Sequence, residues 1–573
     1  MKFEIDQKRR DVIAEPGHVL VLGGPGSGKT TLAILKAQAR MAKLSPGQNV
    51  LFLSFSRAAV QQILLRCKDI LSSEELRRIE IKTYHAFCWD LLRAHGQALR
   101  GFPLVMMTPG TESVMRTQFS GDWRCERRRL LDEESRISFD AFAHAAARLV
   151  EESKVLRGSV ADLYPFVILD EFQDTDDDQW RLVDALAAAT NCVFLADPDQ
   201  RIYTFREGVR SERLDVLRGK ITLKETDLQT DNHRSKLSDV LRYGDAVVRA
   251  TAPTPACRDV SVASYRPFEN MFNSSVSFYV ATLLGELRRR GISEPTVAVL
   301  APSNDLVADI SDALSAPRNF SGKAYGPVVH EIAWDAELSA AAALCVASLL
   351  EQRSDFCAAT RKASLSQAAS YWLQKKDWCE QQPRDGAISS GKRAATLQSA
   401  CVQIDTGKAI RASAAGLLAG HATPLTGDPV VDWAACRALL ASHKDLQELA
   451  SQSRMVGVAS AVDPIALALG RVWAASGDYA GAVRIVSGIL DQQRLIGADK
   501  PPRGCVVMTL HKSKGKEFDG VVIIEGFRGG ELLRPREAPD FADSRRVLRV
   551  GVTRARHLVR IIRPQGAPSF FGP

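Results

Sequence analysis

No stretch of this 573-residue chain reaches the ~20 consecutive apolar residues that a bilayer-spanning helix needs. The N-terminus, Met1-Lys-Phe-Glu-Ile-Asp-Gln7, lacks the apolar core of a secretory signal, so a cytoplasmic protein with no membrane partner is expected. None of the 11 cysteines sits in a C-x-x-C pair. An odd, scattered set reads as buried thiols and argues against a zinc ribbon or an iron–sulfur cluster. Charge is not extreme either. A net +8 permits a partner with a phosphate backbone without requiring one. What remains is ordinary soluble composition, 45% hydrophobic and 25% charged, in a chain too long for one core.

Against that background one segment stands out. Gly23, Gly24, Pro25, Gly26, Ser27, Gly28, Lys29 and Thr30 follow the buried-type run His18-Val-Leu-Val-Leu22. They precede a helix-forming stretch that begins at Thr31. Glycines let backbone N–H groups wrap a polyphosphate, and the helix N-terminus adds positive potential. Lys29 can reach the outer phosphates, and the Thr30 hydroxyl can ligate Mg²⁺. A chance glycine-rich turn would not need a strand before it and a helix after it.

Short β-branched runs at Val19–Leu22, Val50–Phe55, Phe166–Leu169 and Cys192–Leu195 read as buried strands of a parallel sheet. A second group comprises Ile221–Leu223, Val260–Ala263, Val297–Leu300, Cys505–Leu510, Val521–Ile524 and Leu558–Ile562. With helical stretches between them, this is an α/β chain with enough strands for two sheets. The spacing predicts a first α/β domain over 1–87 and 160–207, broken by a helical insertion over 88–159. A second α/β domain is expected over 208–315 and 501–564, broken by a mainly helical insertion over 316–500. Residues 565–573 read as a loose tail.

Phe166-Val-Ile-Leu-Asp-Glu-Phe-Gln-Asp174 is the second strong signal. An apolar strand that ends in carboxylates places them at the sheet's C-terminal edge, beside the phosphate loop. Asp170 is the candidate Mg²⁺ holder, and Glu171 the candidate base for the attacking water. A solvated acidic cluster would not be preceded by four buried-type residues.

Asp-Glu-Phe-Gln-Asp after a Gly-Lys-Thr loop resembles the superfamily 1 helicases of the UvrD/Rep/PcrA type. Further motifs follow in that family's order: Phe3 and Gln7, Leu51–Ala59, Lys82–Phe87, Phe194–Arg206, Asp231–Ser235, Val507–Phe518 and Arg545–Arg556. The resemblance implies two RecA-like P-loop domains, each with an inserted mainly helical subdomain, closing on ATP and Mg²⁺. It implies that Arg234 and Arg554 bring positive charge to the γ-phosphate and that Gln200 senses it. Gln7 and His233 would face the adenine, Glu517 the ribose, and Thr31 would complete the loop. Phe55, Tyr203 and Phe205 would stack bases of a single strand, with Thr83, His85, Thr509 and His511 on its phosphates and sugars. Core packing competes for each aromatic, and structural hydrogen bonding for each histidine.

Departures from the family are visible. His233 stands where a tyrosine is usual, Ala196 for glycine, Phe205 for tryptophan, and Arg57-Ala58 for Asn-Lys. Pro198 interrupts the acidic turn, and 328–332 does not match the usual motif there. The leading expectation is an ATP-dependent 3′→5′ translocase and helicase on single-stranded DNA or a tailed duplex. The runner-up is a nucleic-acid-sensing ATPase that regulates a partner nuclease, as in compact UvrD-like subunits of bacterial antiphage systems such as Gabija. No nuclease motif is recognisable after Arg556, so a nuclease would have to be a separate chain. A catalytically dead scaffold is disfavoured, because the phosphate-handling positions hold the expected residue types.

Overall fold

The protein is described by a computed structural model. It describes residues 5–100, 103–107, 112, 115, 116, 119, 121–203, 208–228, 239–333, 336–381, 386–420, 424–454, 456, 464–496, 503–535, 537, 538 and 540–571. Strands are numbered in chain order: β1 His18–Leu22, β2 Val50–Ser54, β3 Ile79–Thr83, β4 Val105–Met106, β5 Arg136–Ile137, β6 Phe166–Leu169, β7 Asn191–Ala196 and β8 Leu223–Asp227. They continue as β9 Val260–Tyr265, β10 Val297–Ala301, β11 Arg318–Phe320, β12 Lys323–Tyr325, β13 His330–Ala333, β14 Cys505–Thr509, β15 Phe518–Ile524 and β16 Ala555–Pro564.

Two parallel six-stranded sheets organise the first compact unit, which comprises 1–103, 142–333 and 498–573. Their orders are β3-β2-β6-β7-β1-β8 and β13-β14-β10-β15-β16-β9. Central strands such as Val50–Ser54 and Phe518–Ile524 are mostly apolar and buried along their whole length. That pattern belongs to parallel strands covered by helices on both faces. In the first sheet β6, β7 and β1 are neighbours, so their C-terminal exits at Asp170, Asp197 and Gly23 emerge side by side. The Gly23 N–H donates to Ala196 O at 3.1 Å and the Asp170 N–H to Leu53 O at 2.9 Å, which extends the ladder past the strand ends.

Several expectations need correction. The run at 221–223 was expected in the second sheet, but Leu223–Asp227 pairs in parallel with His18–Leu22 as the edge of the first. Its polar, half-exposed sequence suits an edge strand, where an apolar pattern gives no guide. β3 and β13, also at sheet edges, carry no apolar run and were not anticipated. Residues 318–333 are therefore not part of a helical insertion. β11 and β12 form a hairpin through Ser321 and Gly322, both at positive φ, and β13 joins the second sheet beside β14.

The helix Phe142–Glu152 buries Phe142, Ala145, Ala146, Leu149 and Val150. It packs on the helices Tyr84–His95 and Asp177–Ala187, and Trp89 stacks on Phe142 with ring centroids 5.0 Å apart. These contacts tie 88–103 and 142–159 to the first unit, so only 104–141 of the expected 88–159 insertion lies outside it. The C-terminal segment is not loose where it is described. Phe570 is buried, its carbonyl accepts from the Arg545 guanidinium, and Arg563 lies 3.8 Å from its ring centroid.

The second unit comprises 104–141 and 334–497. Its larger part is a helical bundle around Ala336–Ser354. Residues 339–350 of that helix are buried in succession. A helix that is apolar all round must lie inside, and its alanines let neighbouring helices approach closely. Trp372 and Trp433 fill the bundle core. The Asp432 carboxylate, buried among apolar neighbours, accepts from Thr426 N at 2.8 Å, Thr426 Oγ1 at 2.9 Å, Gly427 N at 3.0 Å and Tyr479 OH at 2.8 Å. Asp432→Ala strands these donors and should lower unfolding stability by about 2–4 kcal/mol, read as a drop in urea midpoint. Tyr479→Phe, which removes one donor, should cost about 1 kcal/mol.

Candidate nucleotide site

The phosphate loop is shaped by glycine. Gly26 and Gly28 have φ of 79° and 88°, and Gly28 is the left-handed residue from which the helix Lys29–Met41 starts. A Cβ on Gly23 would come within 2.4 Å of Ser27 Oγ. Ser27 Oγ is itself buried with no hydrogen-bond partner, and Lys29 Nζ is turned onto the carbonyls of Gly23 and Gly24. An ammonium held by loop carbonyls and an unsatisfied hydroxyl in a glycine cradle fit an incoming phosphate chain. Thr30 and Thr31, both half-buried, open the helix.

Across the adjoining strand ends the charge reverses. Asp170 is buried and Glu171 half-buried, and Glu171 adopts a left-handed φ of 53°. That backbone costs roughly 1–2 kcal/mol for a non-glycine residue and sets its side chain apart from the strand direction. Burial first, then the neighbouring Glu171, pushes the Asp170 carboxyl up to about 7. Such a group is suited to a cation, and together with the Thr30 hydroxyl it is the fitting place for Mg²⁺. Burial also opposes ionisation of Glu171, but Lys514 and Lys29 outweigh it and hold that carboxyl low. Gln173 Nε2 donates to Glu171 Oε2 at 2.7 Å, and Asp197 N donates to Gln173 Oε1 at 3.1 Å, so the two strand exits share one amide.

The second sheet reaches this edge through three cations. Lys514 Nζ, buried, contacts the Asp174 carboxylate, lies 3.3 Å from Glu171 Oε2, and donates to Gln200 O at 2.7 Å. Arg549, also buried, sits 3.2 Å from Asp197 Oδ2 and 2.9 Å from Asp245 Oδ1. Arg554 Nη2 donates to Gln200 Oε1 at 3.2 Å, while Gln200 Nε2 donates to Asp197 Oδ2 at 2.8 Å. Burial disfavours the Lys514 charge, yet the nearby Asp174 and Glu171 raise its pKa overall. Pro198 fits its turn because it opens the 3₁₀ segment Pro198–Gln200, where no amide hydrogen is needed, with Asp197 as N-cap.

Of the sequence-derived residues, the structure links Glu171, Gln200 and Arg554 into this network through Lys514, with Lys29 and Asp170 in its electrostatic field. Others are placed elsewhere. Gln7 donates to Asp11 Oδ1 at 2.7 Å on an exposed face. Glu517 pairs with Arg66 at 3.0 Å and Arg556 at 3.5 Å. Phe55 packs 5.0 Å from the buried Tyr84, Thr83 caps the helix that carries His85, and Thr509 Oγ1 accepts from Lys512 N at 3.4 Å. Tyr203 and His511 are half-buried with rings 6.4 Å apart, and Lys514 Nζ lies 5.4 Å from the Tyr203 ring. Phe205, His233 and Arg234 lie outside the described residues.

Sequence reasoning missed Lys514, Arg549, Asp197 and Gln173. Lys514 and Arg549 fall inside stretches singled out as motifs, but no spacing reveals that their partners lie 340 and 352 residues upstream.

The family models give this geometry a lineage. The UvrD/REP helicase N-terminal domain matches residues 5–121 and 114–216. The UvrD-like helicase C-terminal domain matches residues 504–562. The chain carries both of the UvrD-type helicase family domains. A Bacillus subtilis relative, YjcD, which bears the name of an ATP-dependent DNA helicase, is 25% identical over 279 residues, 41% of this chain and 36% of its own. The "Probable DNA helicase II homolog" of Mycoplasma pneumoniae is 25% identical over 288 residues, 40% of this chain and 39% of its own. A Streptococcus pyogenes relative, named as part of an ATP-dependent helicase/nuclease, is 31% identical over 118 residues, 20% of this chain and 10% of its own. The chain thus spans well under half the length of these relatives.

Two outcomes test the network in the nucleotide-free, metal-free protein. Lys514→Met leaves buried carboxylates uncompensated and should destabilise by about 3–5 kcal/mol in urea titration. Adding Asp174→Asn should recover part of that loss. Asp170 holds its proton to a higher pH in the folded state than in the unfolded state. Its contribution to stability should therefore fall as pH rises from about 4, the unfolded value, towards 7. Thermal melts of Asp170→Asn should lack that decline.

Proposed function

We propose that this protein is an ATP-dependent 3′→5′ translocase and helicase on single-stranded DNA, powered at the edge shared by its two parallel sheets. The observation that carries the reading is the set of cations from the second sheet, Lys514, Arg549 and Arg554, engaged with Glu171, Asp174, Asp197 and Gln200 of the first. Hydrolysis builds negative charge on the γ-phosphate oxygens, and cations brought to that point stabilise it.

The phosphate loop binds the β- and γ-phosphates through its backbone N–H groups, and Lys29 leaves its loop carbonyls to join them. Thr30 and Asp170 would hold Mg²⁺, which would supply a further positive charge to the phosphate oxygens. Glu171, kept ionised by Lys514 and Lys29, orients the attacking water and takes its proton. Gln200 senses the γ-phosphate, and Arg554, which rests on the Gln200 side chain, shifts onto it with Arg234. Gln7 and His233 take the adenine and Glu517 the ribose. Each turnover makes and breaks these cross-sheet contacts. A strand held by Phe55, Tyr203 and Phe205, with Thr83, His85, Thr509 and His511 on its backbone, then moves in steps.

A second reading has one observation behind it. The Streptococcus pyogenes relative is named as part of a helicase/nuclease. In that reading the ATPase senses nucleic acid and regulates a partner nuclease in antiphage defence.

Lys29→Ala and Glu171→Gln should each reduce DNA-stimulated ATP hydrolysis by at least ~10²-fold while far-UV circular dichroism stays unchanged. Near-normal turnover in Glu171→Gln would sink the mechanism. A 3′-tailed duplex should be separated and a 5′-tailed one left intact. Hydrolysis without strand separation on either substrate, with a nuclease co-purifying, would instead favour the sensing role.

A further inference from the structure

The first helix, Gln7–Ala14, has eight residues and buries only Arg9 and Val12. Two turns with so small a buried face do not hold their place by intrahelical hydrogen bonds alone. Cations outside the helix hold it instead. Lys36 Nζ donates to Val12 O at 2.7 Å and to Glu15 O at 2.6 Å. Arg40 Nη2 donates to the same Glu15 carbonyl at 2.7 Å. Both cations stand on Lys29–Met41, the helix that begins at the phosphate loop. They meet the C-terminal end of the short helix, where its exposed carbonyls and dipole favour positive charge.

The N-terminal end is tied to the loop itself. Asp6 caps the helix by accepting from Arg9 N at 2.9 Å, and it pairs with Arg9 Nη1 at 2.5 Å. Arg9 Nη2 lies 3.5 Å from Ser27 O in the phosphate loop. Lys36 is fully buried, and burial, aided by Arg40, pushes its amine down to about 8. An apolar side chain would anchor the helix with less desolvation. What an ammonium adds is direction. By taking two convergent carbonyls it fixes the rotation of the helix about its own axis, and so the side from which Gln7 projects.

We propose that Lys36 is a positioning residue that sets the helix Gln7–Ala14 against the phosphate loop and so gives the site its preference for an adenine base. The proposal rests on the reading of Gln7 as the base-facing residue. The phosphate contacts come from the loop and do not depend on that orientation. Loss of Lys36 should therefore separate base recognition from phosphate binding.

Calorimetric titration of the full chain with ATP, CTP and pyrophosphate, each with Mg²⁺, reads the separation. Lys36→Met should weaken ATP about 10-fold and leave CTP and pyrophosphate within about twofold. Lys36→Arg, which can still donate to both carbonyls, should restore the ATP preference. Arg40→Met, which removes the second donor to Glu15 O along with the guanidinium over the Phe166 ring, should shift ATP in the same direction by a smaller factor, and it serves if Lys36→Met does not fold. Equal weakening of all three ligands, or an ATP preference that survives in a folded variant, would overturn the proposal. A wild-type chain that binds pyrophosphate but does not distinguish ATP from CTP would overturn the base-facing role of Gln7 and the proposal with it.

Discussion

Asp170, Glu171 and Asp174 leave one strand end within five residues, and Asp197 leaves the next strand beside them. Gathered at a largely buried sheet edge, these carboxylates repel one another and lose hydration, a combination that costs several kcal/mol unless positive charge is brought in. The first sheet supplies Lys29. Arg66 adds to it from the same side, Lys514 and Arg549 come from the second sheet, and Arg554 reaches the Gln200 side chain beside them. The approach of the two sheets at this edge is therefore an electrostatic requirement of the site as well as a matter of packing.

The cations rest on carboxylates, on the Gln200 side chain and on backbone carbonyls. Under the proposed function, a nucleoside triphosphate would bring its own negative charge into the same field and compete for the same cations, which would couple chemistry at the first sheet to the position of the second.

The helical unit answers to a different constraint. Its central helix is apolar on every side, and its only fully buried carboxylate, among the described residues of that unit, is saturated by four donors around Asp432. Packing and the satisfied Asp432 cluster both contribute to its stability.

Local chemistry made much of this legible from the chain alone. A phosphate loop needs glycines at left-handed positions, a lysine and a threonine in fixed succession, so Gly23–Thr30 announces itself. Buried parallel strands are apolar over most of their length, so β1, β2, β6, β7, β10 and β15 were visible as runs, and Asp170-Glu171 as the end of one. Edge strands such as Leu223–Asp227 and His330–Ala333 escaped, because half-exposed strands need no such run. The packed Phe570 escaped because a single aromatic near a chain end reveals nothing about the guanidinium it covers. Pairings across hundreds of residues were beyond reach for a related reason. Lys514 with Asp174, Arg549 with Asp197, and Lys36 with the carbonyls of Val12 and Glu15 depend on where whole sheets and helices come to rest. The sequence by itself determined the two-sheet architecture and singled out the candidate phosphate-handling groups, since each follows from residue type and short-range pattern. Only the tertiary structure decided which buried charges neutralise one another, because Coulomb interactions depend on distance in space and not on separation along the chain.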